Sequence, residues 1–413
     1  MHQPTSILIL ADESSNAVVG GLSVLERLTR NCREAWGEAQ LLILWREPNT
    51  RGRTRLPAGL SAIQLDQGAA SPTPLLADGD LLLLRGTLVV GRGVLHGLLA
   101  TDAAGSDGWP VRSMPSALVA ARPALDWDEL AALLPEHAPK AAPGRDIGFV
   151  AVVESPTDVR QVNRRLLTSL GKPSDGYVAR YVNRAFSTRL TGWLANTSVT
   201  PNMVSVVVLA FALSAAWFLA RGNALGFVLG CALNQCASML DGTDGELARL
   251  KFLDSRQGAW IDTAIDQLGN HLFILALGLG LSRQPLLSPE VQAAYLWEGV
   301  FTTVGMAIAV ALVARHTRRT SRVAHFNEFN DNLRRDADKG GRLRRAFAAG
   351  VPVFRRDTYA LVFVVLAVAG VPALVLHFLT FGMLAHLPAI AWVWWSHELR
   401  PAMADANRGA ANA

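Results

Sequence analysis

Two sets of acidic residues share one short stretch, L-D-G-T-D-G-E-L-A-R-L-K-F-L-D-S-R-Q-G-A-W-I-D-T-A-I-D, which begins at Leu240. Asp241 and Asp244 are three residues apart, and Gly258, Asp262 and Asp266 recur every fourth residue. On helices, each set lies on a single face. If the two helices are antiparallel neighbours across the short connection, four carboxylates converge at one end of a bundle. Carboxylates gathered there repel one another, and an aspartate in a membrane helix costs about 2.5 to 3.5 kcal/mol even on the lenient insertion scale. A cation is therefore expected to offset them. An all-oxygen ligand set, with no His or Cys in the stretch, favours Mg²⁺, Mn²⁺ or Ca²⁺ over zinc. One or two such ions could grip a diphosphate while stabilising charge on attacking and leaving oxygens. The chemistry implied is phosphoryl transfer. Gly245, Ala248 and Gly258 are small beside the carboxylates, which permits close approach of a phosphorylated ligand or of the other helix, and Arg249 could meet its phosphates. As structure alone, the aspartates would be helix caps or ion-pair partners of Arg249, Lys251 and Arg256.

The elements that must position these residues are apolar. Half of the 413 residues are hydrophobic and mean hydropathy is positive, too apolar for an ordinary soluble enzyme. Six spans are expected, near Asn202–Ala220, Ala224–Leu240, Gly258–Leu281, Gln292–Ala314, Thr358–Gly370 and Ala373–Trp395, close to the ~20 residues that cross hydrocarbon except for the short fifth. The connection from Arg315 to Asp357 is rich in arginine, including Arg318, Arg319, Arg355 and Arg356. Positive loops stay cytoplasmic, so both termini are expected in the cytoplasm of a bacterial inner-membrane protein. Before the first span, Tyr177, Val178, Tyr181, Val182, Phe186, Leu190 and Leu194 recur at helical spacing among arginines, as in an amphipathic helix lying in the interface or a linker helix packed on the N-terminal domain.

Residues 1–155 alternate short apolar runs with helical patterns, including Ile7–Leu10, Gly21–Ala35, Ala39–Trp45 and Asp80–Leu84. That alternation predicts a Rossmann-like α/β domain. Ser155-Pro156-Thr157-Asp158 carries the cap, first-turn proline and early acid of a helix start. The run before Asp12 and Glu13 lacks the flank and core of a signal peptide, so this domain is expected in the cytoplasm. The three cysteines, Cys32, Cys231 and Cys236, suggest no disulfide framework. The net charge of +5 lies mostly beside apolar runs, where topology explains it without nucleic acid.

The register D-x-x-D-G-x-x-A-R-x₈-G-x-x-x-D-x-x-x-D, complete from Asp241 to Asp266, resembles the CDP-alcohol phosphotransferase family. The resemblance covers roughly Gly171 to Trp395. It implies metal ligation by Asp241, Asp244, Asp262 and Asp266, with Asp266 also the general base that deprotonates the acceptor alcohol. It further implies nucleotide or diphosphate contacts at Gly245, Ala248, Arg249, Ser255, Gly258, Pro201 and Asn202, the last two within Thr200-Pro201-Asn202, which opens the first span. Arg318, Arg319, Arg355 and Arg356 could bind an acceptor phosphate, although topology alone accounts for them.

The N-terminal order of strand, loop, helix and strand weakly resembles sugar-nucleotide cytidylyltransferases. Where a glycine- and basic-rich phosphate loop would follow the first strand, A-D-E-S-S-N-A-V-V-G-G stands instead, and L-L-L-L is followed by Arg85-Gly86-Thr87 where a metal-binding aspartate would be. An inactive domain is the expectation.

The predicted organisation is therefore an α/β nucleotidyltransferase-like domain at 1–155 and a linker with a juxtamembrane amphipathic helix at 156–199. An all-α six-span transferase at 200–396 and a tail at 397–413 follow. The expected activity uses Mg²⁺ or Mn²⁺, as two ions, and a CDP-activated, lipid-linked donor such as CDP-diacylglycerol. A phosphatidyl group passes to a small polar acceptor, inositol phosphate- or glycerol phosphate-like, and CMP leaves. The chain is expected to be a homodimer in membrane lipid. Two alternatives are a CDP-inositol-dependent phosphodiester synthase and a non-catalytic membrane scaffold.

Overall fold

A computed structural model describes residues 4–46, 56, 62–66, 79–91, 94–95, 111–120, 126–134, 149–171, 178–319 and 356–394. The chain divides into two compact units. The first comprises 1–171, 191–198 and 247–253, and the second comprises 172–190, 199–246 and 254–413.

In the first unit, a five-stranded sheet is built from β1 (Ser6–Ala11), β4 (Gln40–Trp45), β5 (Ile63–Asp66), β6 (Asp80–Arg85) and β8 (Val111–Pro115), in the order β5-β4-β1-β6-β8. The β1, β4, β5 and β6 pairings are parallel, and β8 runs antiparallel to β6. Two small antiparallel pairs accompany it: β2 (Val18–Val19) with β3 (Leu22–Ser23), and β7 (Leu88–Val90) with β9 (Val150–Val152). Strands β1, β4 and β6 read as unbroken apolar runs because a central parallel strand is covered on both faces.

The alternation of side chains along β1 sends Ile7, Ile9 and Ala11 into one core with Leu25, Leu28 and Cys32 of α1 (Val24–Ala35). Leu8 and Leu10 enter the opposite core with Val119 of α2 (Ala117–Ala120) and Trp127 and Leu130 of α3 (Trp127–Ala131). Burial raises the Cys32 thiol to about 12, so it behaves as a small hydrophobe. Helix α4 (Pro156–Ser169) begins as its sequence signals, with Asp158 accepting from the Ser155 N–H at 2.8 Å and hydroxyl at 2.9 Å. Those bonds, led by the hydroxyl's, hold the Asp158 carboxyl below the usual carboxylate range.

The helices that follow are a π-helical turn at Ala179–Asn183 leading into α5 (Arg184–Ala195), then α6 (Pro201–Leu219), α7 (Ala224–Lys251), α8 (Arg256–Ser282), α9 (Pro289–Arg319), α10 (Arg356–Val368) and α11 (Ala373–Trp394). Four of them, α6 to α9, are long and apolar enough to cross a membrane. The fifth and sixth expected spans correspond to α10 and α11, which over the described residues are shorter apolar helices, Thr358–Val368 and Ala373–Ala385. The core of this bundle joins Leu219, Phe227, Phe273, Leu277, Phe363 and Leu376. Val206, Val207, Trp217, Trp297 and Phe301 point outward, the distribution expected of helices solvated by lipid rather than water.

Candidate active site

Asp241 projects from α7, and Asp262 and Asp266 project from α8. One carboxylate oxygen from each lies within 4.8 Å of the others, and all three side chains are half-buried. The three- and four-residue spacings thus deliver what a helical face requires. Asp244, one turn beyond Asp241, is buried and interacts electrostatically with Asp266 and through its side chain with Asp262. Its orientation is set from both sides: Ser205 Oγ of α6 donates to Oδ2 at 2.6 Å, and the Gly245 N–H donates to Oδ1 at 2.6 Å. Each carboxylate oxygen keeps a further lone pair, so this anchoring leaves Asp244 able to ligate while fixing where it does so. An exclusively oxygen set from two helices fits a hard divalent ion.

The expected nucleotide contacts are partly collected. Pro201 occupies the first turn of α6, and Ser255 caps α8 by accepting the Gly258 N–H at 2.9 Å. A Cβ on Gly258 would lie 3.1 Å from Ser255 Oγ and 3.6 Å from Asn202 Oδ1. The N-termini of α6 and α8 are therefore neighbours, and two helix N-termini together favour an anion. Gly245 is engaged with Asp244. Ala248 offers its carbonyl to the Leu253 N–H at 2.9 Å, and Arg249 donates to the Leu170 carbonyl at 3.2 Å, a protein partner that its expected phosphate role did not foresee. Arg318 and Arg319 end α9 and Arg356 opens α10. Their side chains, and Arg355 altogether, lie outside the described residues.

Two supporting residues carry no mark in the sequence. Ser205 is one serine in an apolar run, and Glu246 sits at an unspecified position between Gly245 and Leu247. Glu246 is fully buried and accepts from Arg184 and from Ser187 Oγ, the latter at 2.7 Å. The only available hint was that an acid three residues before Arg249 must share a helix with two aspartates. This pair ties the start of α5 to the aspartate-bearing helix. Removing one partner of a buried ion pair strands the other, at about 3 to 5 kcal/mol; Arg184 retains 16% exposure, which places Glu246→Gln near the lower end. Thermal unfolding in detergent should show that loss, and an unchanged midpoint would mean that the pair contributes nothing.

Long apolar helices carrying a cluster of oxygen ligands suit an integral membrane protein that holds a divalent ion. Residues 198–397 match the CDP-alcohol phosphatidyltransferase family and form a domain of that family. Its members are transferases that use a CDP-alcohol donor and an alcohol acceptor and generally depend on divalent metal. Curated relatives include three proteins named bifunctional IPC transferase and DIPP synthase. That of Aquifex aeolicus is 34% identical over 143 residues, covering 34% of this chain and 32% of the relative. That of Archaeoglobus fulgidus is 35% identical over 131 residues, 31% of this chain and 25% of the relative. That of Rubrobacter xylanophilus is 39% identical over 128 residues, 31% of this chain and 29% of the relative. The matched region thus spans a quarter to a third of each relative's length.

Proposed function

We propose that the chain transfers a phosphoryl-linked group, phosphatidyl in the leading reading, from a CDP-activated donor to the hydroxyl of a small polar acceptor, releasing CMP. The observation that carries this reading is the meeting of Asp241, Asp262 and Asp266 oxygens within 4.8 Å, inside a domain of a family that performs such transfers. Mg²⁺ or Mn²⁺, as two ions held by the four aspartates, would supply charge neutralisation of the donor diphosphate and of the departing phosphate. The adjoining N-termini of α6 and α8, with Asn202, Ser255 and Gly258, would orient the diphosphate. Asp266 takes the proton of the acceptor hydroxyl, whose oxygen attacks the phosphorus bearing the alcohol. A P–O bond to the acceptor forms as the phosphoanhydride bond breaks, and CMP leaves with the bond's electron pair. Asp244, with both oxygens engaged by Ser205 and Gly245, suits ligation rather than proton transfer.

A second reading takes CDP-inositol as donor and yields an inositol phosphodiester. It is kept because the relatives bear the names IPC transferase and DIPP synthase. The protein is placed in a bacterial inner membrane with both termini cytoplasmic, on the strength of its arginine-rich connection.

The N-terminal domain is read as nucleotidyltransferase-like but inactive. In an open α/β sheet the ligand crevice lies at the carboxyl ends of the strands where their order reverses, here between β1 and β6. That place is taken by the chain itself. The Gly86 N–H donates to the Leu10 carbonyl at 2.7 Å, and a Cβ on Gly86 would stand 2.7 Å from Ser15 Oγ. The start of α1, where a phosphate would sit, is capped by Ser23 and carries Glu26 in its first turn.

Mass spectrometry of products from purified protein tests the assignment, using CDP-diacylglycerol or CDP-inositol with a panel of alcohols and phosphorylated alcohols. A phospholipid product is expected from CDP-diacylglycerol. A phosphodiester formed from CDP-inositol alone would establish the second reading, and CMP release from neither donor would overturn both.

A further inference from the structure

Arg27 ends the first turn of α1, buried in the first unit. Its Nη2 donates to three backbone carbonyls: Val19 at 3.0 Å, Gly20 at 3.2 Å and Leu250 at 3.0 Å. Burial lowers its pKa only to about 10, so it keeps its charge at neutral pH. Leu250 lies in the last turn of α7, the helix that carries Asp241 and Asp244. Carbonyls in a last helical turn lack intrahelical donors and bear the negative end of the helix dipole. A buried guanidinium is well matched to them.

The turn beyond is held by the same helix. Phe252 has φ +55°, a left-handed conformation normally left to glycine at the end of a helix, and the Leu253 N–H returns to the Ala248 carbonyl in the pattern of a Schellman cap. Its ring lies beneath Arg27 and Arg30, whose guanidinium carbons are 5.6 and 6.0 Å from the ring centre. Lys251 donates to the Thr197 carbonyl at 2.7 Å and the Leu194 carbonyl at 3.3 Å. The loop that approaches α7 is shaped for the contact. Gly20, at φ +60°, donates its N–H to Asn163 at 3.0 Å, and a Cβ there would come within 2.7 Å of Leu250 Cδ1. Gly21, at φ +80°, would place a Cβ 2.0 Å from the Ala195 carbonyl oxygen. Val19, Val24, Val162, Leu166, Ala195 and Leu250 pack in one buried cluster around these bonds.

We infer that the α/β domain acts as a clamp on the C-terminal end of α7, with Arg27 a positioning residue that fixes Asp241 and Asp244 against the aspartates of α8. The stretch where a phosphate loop was expected has become the docking surface: its carbonyls are spent on Arg27 and its glycines admit Leu250 and Ala195. Helix α7 is continuous from Ala224 to Lys251, so at 1.5 Å per residue the clamped carbonyl is about 9 Å along the axis from Asp244 and about 14 Å from Asp241. Phe252 also begins the connection that leads into Ser255 and α8. Holding that turn fixes the register of one aspartate pair against the other.

The inference rests on the metal reading of the aspartates, and its test separates the two. Mn²⁺ alone is titrated into the purified full chain and free Mn²⁺ is followed by electron paramagnetic resonance, beside size-exclusion profiles and thermal unfolding. Arg27→Ala should weaken Mn²⁺ binding roughly 5- to 10-fold and Phe252→Gly by a smaller factor of about 3, while Arg27→Lys recovers most of the loss. Leu130→Ala, in the core on the opposite face of the sheet, should lower the unfolding midpoint without changing Mn²⁺ affinity. Wild-type affinity in both Arg27→Ala and Phe252→Gly would overturn the clamp. So would a loss in Leu130→Ala as large as that in Arg27→Ala. Should Arg27→Ala fail to fold, Phe252→Gly decides, because glycine accepts the left-handed conformation without strain. A wild-type protein that binds no Mn²⁺, or an Asp241→Asn variant that binds it as tightly, would instead overturn the metal reading and the clamp with it.

Discussion

Asp241→Asn should abolish CMP release and, in metal-free buffer, leave the protein at least as resistant to heat as the wild type. The two halves of this expectation have one origin. Asp241, Asp262 and Asp266 bring three oxygens within 4.8 Å, and like charges at such separations in a partly dehydrated bundle repel strongly. Deleting one charge relieves that repulsion when no ion is bound. With Mg²⁺ or Mn²⁺ present the order reverses, because an ion that binds only the folded state stabilises it by mass action, and the variant forfeits that gain. The catalytic loss should be roughly 10³-fold or more, since metal contributes several kcal/mol to transition-state stabilisation and each 1.4 kcal/mol is a factor of ten. Chelator should reproduce the loss in wild-type protein, with recovery on adding Mg²⁺ or Mn²⁺. The checks are unfolding midpoints with and without metal and CMP release for both proteins. Full activity in chelator would remove metal from the site. A metal-free Asp241→Asn protein that melts well below wild type would show that this carboxylate serves instead as a structural partner.

Why this cluster was legible, and its supports were not, follows from the range of the interactions. Asp241 with Asp244, and Asp262 with Asp266, announce themselves through helical periodicity, and the short connection between their helices forces the faces together. The central strands β1, β4 and β6 announce themselves through burial on both sides. Strands β5, β7 and β8 do not: Ile63–Asp66 is largely exposed, Leu88–Val90 has three residues, and Val111–Pro115 ends in proline at a sheet edge. Ser205 is indistinguishable in sequence from any serine of an apolar helix until the fold sets it 2.6 Å from Asp244. Arg27 and Leu250 lie 223 positions apart, a separation that no local pattern can encode. The departure from a phosphate loop was visible in A-D-E-S-S-N-A-V-V-G-G, whereas the use to which its two glycines are put was not.

Asp266→Asn should reduce turnover by about 10² to 10⁴-fold while leaving donor binding close to wild type. Asparagine keeps the size of the side chain and an oxygen able to face a metal, and it cannot accept a proton. The resemblance to the CDP-alcohol phosphotransferases implies the base role for this aspartate, and the proposed function adopts it. Asp244 is buried, with one oxygen bound by Ser205 and the other by the Gly245 N–H, so an acceptor hydroxyl has poor access to it. Asp241 precedes it on α7 and Asp262 stands one turn before Asp266 on α8; Asp266 is farther than Asp262 along their helix from the Ser255 and Gly258 end, where the proposed function would put the diphosphate. In-line displacement needs the hydroxyl to approach the phosphorus from the side opposite the leaving CMP, and a base at Asp266 would require that side to face α8. Asp241→Asn and Asp244→Asn should differ in kind, losing donor affinity together with turnover because the diphosphate is held through the ions they ligate. CDP-donor binding with metal present, measured beside CMP release at saturating acceptor for the three variants, makes the comparison. Normal turnover in Asp266→Asn, or a loss of donor binding as complete as that of Asp241→Asn, would show that the proton leaves by another route.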